Sequence, residues 1–261
     1  MRKVRLVILL VFYCSILFSQ SSKIDSLNKF ILGAKEDSNK VKAYIKLSAI
    51  YMQSQPEKAL QIAKTANKLA EKVKFAYGKT EALYQIAYYY YQRSDLKEAL
   101  EKFIEVEKYA GKNNIVGYYI KSVSNIAVIN ARSGNPKSAI EYFNKVLKIT
   151  ENTDKHNEWI LSLVNIGNCY TMMHEYKSAI EFQKNAYVLA KKYKFDYGLG
   201  IILNNLSSNY IELKQYSEAK NSALESLKLA KEMNDSEVIM ESCATLGEIF
   251  SRLNDPQNTI I

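Results

Sequence analysis

Leu163-Val164-Asn165-Ile166-Gly167-Asn168-Cys169-Tyr170 decides the fold, because its pattern returns along the whole chain. An apolar residue is followed by a small one, and a larger side chain comes three positions later. The small residues are Ser48, Ala87, Ala127, Gly167, Ser207 and Gly247, at spacings of 39, 40, 40, 40 and 40. Three positions on stand Tyr51, Tyr90, Asn130, Tyr170, Tyr210 and Phe250. A second set of anchors follows in step: Ala59, Ala99, Ala139, Ala179 and Ala219. A register held this long marks a structural repeat.

Each unit reads as two helices. Leu163, Ile166, Gly167 and Tyr170 fall on one stripe of the first, and Ala139, Ile140, Phe143, Val146 and Leu147 show the stripe of the second. Polar turns such as Arg93-Ser94-Asp95 and Ser133-Gly134-Asn135 lie between them. The small residue and the alanine have one cause: helix axes approach to ~8–10 Å only where side chains at the crossing are short. One such pair cannot enclose a core, so the pairs must stack into a solenoid. Composition agrees. The 261 residues include 9 Gly and 3 Pro, against about 18 and 13 in ordinary usage, which excludes turn-rich β architectures. A hydrophobic share of 48% excludes intrinsic disorder.

The series Leu83, Ile86-Ala87, Tyr90, Ala99, Phe103 and its counterpart Leu163, Ile166-Gly167, Tyr170, Ala179 resemble the tetratricopeptide repeat family. The resemblance covers about residues 40–261. It implies an all-α fold, a right-handed superhelical solenoid of antiparallel helix pairs. It also implies a concave surface, lined by the first helices, that binds peptides. The units lack the Trp and the closing Pro of the family pattern, and the period is 40 rather than the usual ~34. That longer variant resembles the N-terminal arrays of bacterial exported sensor kinases and regulators. The expected organisation is a signal peptide over 1–20, a lead or capping helix over 21–38 and the array over 39–261. Ile24, Leu27, Phe30, Ile31 and Ala34 form the packing stripe of the lead helix. The array has five full pairs and a sixth, incomplete one from about residue 237.

Arg2, Lys3 and Arg5 precede a 13-residue apolar run, Leu6–Phe18, broken only by Ser15, and then Ser19-Gln20-Ser21-Ser22. This is the layout of a secretory leader, and it falls short of the ~20 residues a spanning helix needs. We expect export to the periplasm or beyond, with cleavage near Ser19 or Gln20; the alternative is a retained N-terminal anchor. The mature chain is expected to hold no membrane span. The net charge of +9 then falls to +6, from 33 basic and 27 acidic residues. Cys14 leaves with the leader, and Cys169 and Cys243 read as buried thiols. The sixth unit stops about one turn into its second helix at Ile260-Ile261, which reads as the front of a longer chain.

At 100° per residue, the position before each apolar anchor and the one after each small residue point away from the core. They define the candidate groove: Gln85, Tyr88, Asn125, Asn165, Asn168, Asn205 and Ser208, with Arg132 beside them. Asn125, Asn165 and Asn205 occupy one place in three successive units. An amide there serves either the backbone of a bound peptide or a neighbouring first helix, since it both donates and accepts. Lys42, Lys46, Lys121 and Arg132 make the early part of this face basic, against Glu81; Glu212, Glu241 and Glu248 make the late part acidic, against Arg252. In the run Tyr88-Tyr89-Tyr90-Tyr91, phase assigns Tyr90 to packing and Tyr88 and Tyr91 to the groove. The chain shows no Gly-rich phosphate loop, metal-ligand spacing or nucleophile elbow, so no catalytic residue, metal or cofactor is expected. The mixed charges do not favour nucleic acid. The expected function is a non-catalytic scaffold for a protein or peptide partner. The alternative is the sensory input module of a histidine kinase or transcriptional regulator lacking its output domain.

Overall fold

A computed structural model describes residues 22–253. The expected leader, with Cys14 and the cleavage site at Ser19/Gln20, lies outside the described residues, as does the end of the sixth unit, 254–261. Every regular element among the described residues is a helix. They are α1 (22–33), α2 (Ser38–Ser54), α3 (Pro56–Lys72), α4 (Ala76–Gln92), α5 (Leu96–Lys112), α6 (Val116–Arg132), α7 (Pro136–Thr150), α8 (His156–Met172), α9 (Tyr176–Tyr193), α10 (Asp196–Glu212), α11 (Tyr216–Met233) and α12 (Ser236–Arg252). The repeat length follows from these parts. The 17-residue helices α4 and α5 and two three-residue turns, 93–95 and 113–115, account for forty residues. None of these helices is long and apolar enough to cross a membrane.

Most turns close in the same way. Asp95 N donates to Tyr90 O at 3.0 Å and Ser94 N to Tyr91 O at 3.0 Å, with Ser94 at φ 59°. This left-handed closure satisfies the last carbonyls of the helix and reverses the chain. It recurs at Asn114, Gly134, His174, Lys214 and Asn234, and Gly134 is the glycine among them. The shortage of glycine therefore coexists with left-handed turns, which Ser, Lys, His and Asn occupy at a steric cost.

Contacts divide the chain into two compact units, residues 1–122 and 123–261, with the division inside α6. In the first, α1 packs on the α2–α3 pair through Ile24, Leu27 and Ile31, against Ala43, Leu47, Tyr51 and Ala63. Phe30 departs from the expected stripe. It is 48% exposed, because α1 is a short single helix that covers α2 with one narrow face. The anchors meet as the repeat dictates: the buried Ser48 hydroxyl donates to Ala59 O at 2.8 Å. In the tyrosine run the buried member is Tyr89, and Tyr90 is only half-buried, edge-on to it at 5.2 Å. Here the position two after the small residue packs more deeply than the position three after it, whereas after Ser48 it is Tyr51, three on, that is buried and Ile50 that is half-buried.

In the second unit, Ala127, Ala139, Phe143, Ile166 and Cys169 form one cluster. A larger one joins Ile160 and Leu163 to Leu203, Leu206, Leu246 and Phe250. A methyl group on Gly167 would stand 2.8 Å from Gln183 Cγ and 3.3 Å from Ala179 O, so the glycine is required by the crossing. Ser207 repeats the Ser48 bond, donating to Ala219 O at 2.8 Å. Cys169 is buried, which pushes its thiol up to about 11. Cys243 is half-buried rather than buried, and both thiols are free.

Candidate functional site

In the first unit the first helices α2 and α4 lie side by side. Gln53 and Ile50 of α2 and Gln85, Tyr88 and Gln92 of α4 line a cavity of about 410 Å³. Gln85 Nε2 donates to Ile45 O across the two helices at 3.1 Å, while Gln85 Oε1 is buried without a donor. Tyr88 sits in an aromatic row, 6.3 Å from Tyr84 and 6.2 Å from Tyr91. The row continues from Tyr84 to Tyr118 at 5.4 Å and on to Tyr77 at 5.6 Å. Burial, and then the neighbouring Glu81 carboxylate that accepts its hydroxyl, raise Tyr118 well above the ordinary phenol value. The Lys121 ammonium lies 5.2 Å from the Tyr118 ring centre, within cation–π range.

The same face of the second unit is built from amides. Asn205 Nδ2 donates to Asn168 Oδ1 at 3.1 Å, one turn beyond Asn165. The Gln183 amide points to that same oxygen at 3.4 Å. Inward, Asn209 Nδ2 donates to Gln183 Oε1 at 3.0 Å and the Thr171 hydroxyl to Asn209 Oδ1 at 2.9 Å. Asn168 and Asn205 are thus the half-exposed end of a chain that runs into the core, where Gln183 is 0% and Asn209 1% exposed. Asn125 and Asn165 are half-buried and Arg132 is exposed. Ser208 is exposed and donates to Asn204 O at 3.1 Å. Among the charged positions, Arg252 pairs with Glu248 at 2.7 Å and reaches Glu212 at 3.7 Å.

A second buried network lies further along. Ser242 Oγ lies 2.9 Å from both Asn204 Oδ1 and Ser226 Oγ and gives its one proton to either, and Ser226 donates to Gly200 O at 2.9 Å. Asn204 Nδ2 also donates to Glu241 at 3.3 Å. Residue type alone conceals both networks, because Gln183, Asn204 and Asn209 are types that usually lie at the surface. Phase marks the last of them: Asn209 occupies the place held by Ile129, Cys169 and Ile249 in other units. The histidines serve local contacts: His156 stacks on Tyr193 at 3.6 Å, and His174 Nδ1 lies 2.8 Å from Tyr176 Oη. Among the described residues no group of three His, Cys, Asp or Glu is placed to hold a metal.

The family model described as tetratricopeptide repeat matches residues 118–192 and 158–232. Residues 118–232 are tetratricopeptide repeats. Solved tetratricopeptide structures share the chain's fold. One is a signal transduction ATPase with numerous domains that carries a tetratricopeptide repeat sensor, from Pyrococcus horikoshii. It is 18% identical with a TM-score of 0.78, over 90% of this chain and 37% of that one. A Rap protein complexed with Competence and Sporulation Factor is 16% identical, TM-score 0.62, over 90% of this chain and 76% of that one. A putative kinesin light chain from Podosopora anserina with nearly identical TPR-like repeats is 15% identical, TM-score 0.61, over 75% and 97%. At these identities the likeness is one of fold. No curated protein matches the sequence. In tetratricopeptide terms α2, α4, α6, α8, α10 and α12 are the first helices of their pairs, and all the candidate residues lie on them.

Proposed function

We propose that the chain is a non-catalytic scaffold that binds a peptide or protein segment along the face of its first helices. The observation that carries this reading is the cavity walled by Gln85, Tyr88 and their neighbours on α2 and α4, a polar-edged, partly apolar recess of the kind that takes a ligand side chain. The tetratricopeptide fold supports a protein-interaction role. A Rap protein of similar fold, complexed with Competence and Sporulation Factor, supports a binding role for such a fold. A second reading makes the array the sensory input module of a signalling protein, by its likeness in fold to the sensor-bearing ATPase.

Photo-crosslinking tests the leading reading. A crosslinking residue placed at Tyr88 or Asn168 on first helices is expected to capture a partner from extract of the source cells. The same residue at the exposed Lys64 or Asn185 of second helices is expected to capture none. Capture confined to the second helices overturns it.

A further inference from the structure

We infer that the groove formed by α1, α2 and α4 takes an extended acidic peptide, with an apolar side chain seated between Leu27 and Ile50. This rests on the first-helix binding reading and names the occupant and its place.

Three recesses in the first unit run into one another. The one along Phe30, Asn39 and Lys42, about 450 Å³, shares Ser26, Leu27 and Lys46 with the next, about 590 Å³. That one shares Ala49 and Ile50 with the recess at Gln85 and Tyr88, about 410 Å³. The result is a channel crossing three helices. A ligand that follows it must be long and narrow, which a peptide strand is.

The charge of the channel selects the strand. Lys23, Lys42 and Lys46 line it, and none of the residues lining the three recesses is acidic. Lys23 and Lys46 are exposed and belong to none of the ion pairs among the described residues, while the Lys42 ammonium lies 5.6 Å from the Phe75 ring centre. Of the nearby acids, Glu36 pairs with Lys72, Asp37 caps α2 through Asn39 N and Lys40 N, Glu81 takes the Tyr118 hydroxyl, and Asp25 of α1 lies outside the lining. Three cations on one rim, with no acid in the lining, complement carboxylates and disfavour a basic partner.

The floor selects the anchor. Leu27, Ile50 and Ala49 leave apolar surface in the recess, and Phe30 stands 48% exposed at its edge. A Leu or Phe side chain covering them removes that surface from water. The far end selects an extended backbone. Gln53 and Gln92 line it, and their side-chain amide oxygens accept hydrogen bonds. An extended chain offers free N–H groups to such acceptors, whereas a helix uses its own.

The test measures fluorescence anisotropy of labelled, C-terminally amidated peptides with the full chain. One set places a Leu or Phe among Asp and Glu, a second among Lys and Arg, and a third among Ser and Gln. The acidic set is expected to bind at least about tenfold more tightly than either of the others, and more weakly as salt rises. Lys46→Glu is expected to reduce that affinity about tenfold or more. Lys46→Gln gives an intermediate loss and serves if the reversed charge impairs folding, as judged by circular dichroism. Ile50→Asp is expected to abolish binding, and Asn185→Ala, exposed on a second helix, to leave it unchanged. Equal affinity for the three sets overturns the inference, as does displacement of the acidic peptide by a single-stranded oligonucleotide. Loss of binding in Asn205→Ala, in the second unit, with retention in Lys46→Glu also overturns it, while leaving the wider first-helix reading in place. Capture confined to second-helix crosslinkers would remove both.

Discussion

Four residues past its anchor alanine, α5 of the first unit carries Phe103, and α9 of the second carries Gln183; both side chains are fully buried. Against Phe103 packs a ring, Tyr84, edge-on at 5.5 Å. Around Gln183 the neighbours are amides and a hydroxyl, from Asn209, Asn168 and Thr171. The backbone plan is the same in the two units, so the forty-residue period constrains helix length and crossing but not the chemistry of the filling. Aromatic filling contributes through area and tolerates changes of angle. Amide filling contributes little net energy per bond, yet any member left alone is expensive.

That contrast can be broken at three places. Phe103→Ala removes a fully buried ring and should destabilise the first unit by ~3–5 kcal/mol, read as a lowered urea midpoint for tyrosine fluorescence. Gln183→Leu should destabilise the second by ~1–2 kcal/mol, because Asn209 loses a partner in a dry site. Adding Asn209→Ile to it, the residue type already present at Ile129 and Ile249, should recover most of that loss. A double variant worse than the single one would show that the network is not a closed polar set. The turns should be indifferent to the filling. Ser94→Gly and Lys214→Gly each relieve a φ near 59° and should stabilise by about 0.5–1 kcal/mol, equally in the two units. Unequal gains would mean that the turns feel the core beneath them.

The helix pairs were legible because small residues such as Gly167, and the alanines they face, are forced by the crossing itself, although Gly247 has open space around it; the bonds from Ser48 to Ala59 and from Ser207 to Ala219 are that constraint in atoms. The turn conformations were not legible. A left-handed residue normally announces itself as glycine, and here Ser94, His174 and Lys214 take the position. Tyr89 is not singled out, because the repeat register marks the position three after the small residue, which is Tyr90. Phe30 misled because a helix covering a partner with one narrow face buries fewer positions than its apolar pattern offers. On the candidate site, phase placed Gln85 and Tyr88, which line a cavity. The contribution of α1 to that groove depends on where a single short helix lies, which no repeat register carries.

Helix α10 holds two buried asparagines that address different neighbours. Asn209 is matched to Gln183 and Thr171 on the preceding pair, and Asn204 to Ser242 on α12, the next first helix. Each is a lock cut for one key. A duplication or excision of forty residues would preserve the phase of every helix, and on backbone grounds any repeat might follow any other. Placing another helix beside α10 would strand an amide in a dry interface. The order of repeats in this part of the chain is therefore written into its hydrogen bonds, and gain or loss of whole units is more easily tolerated elsewhere.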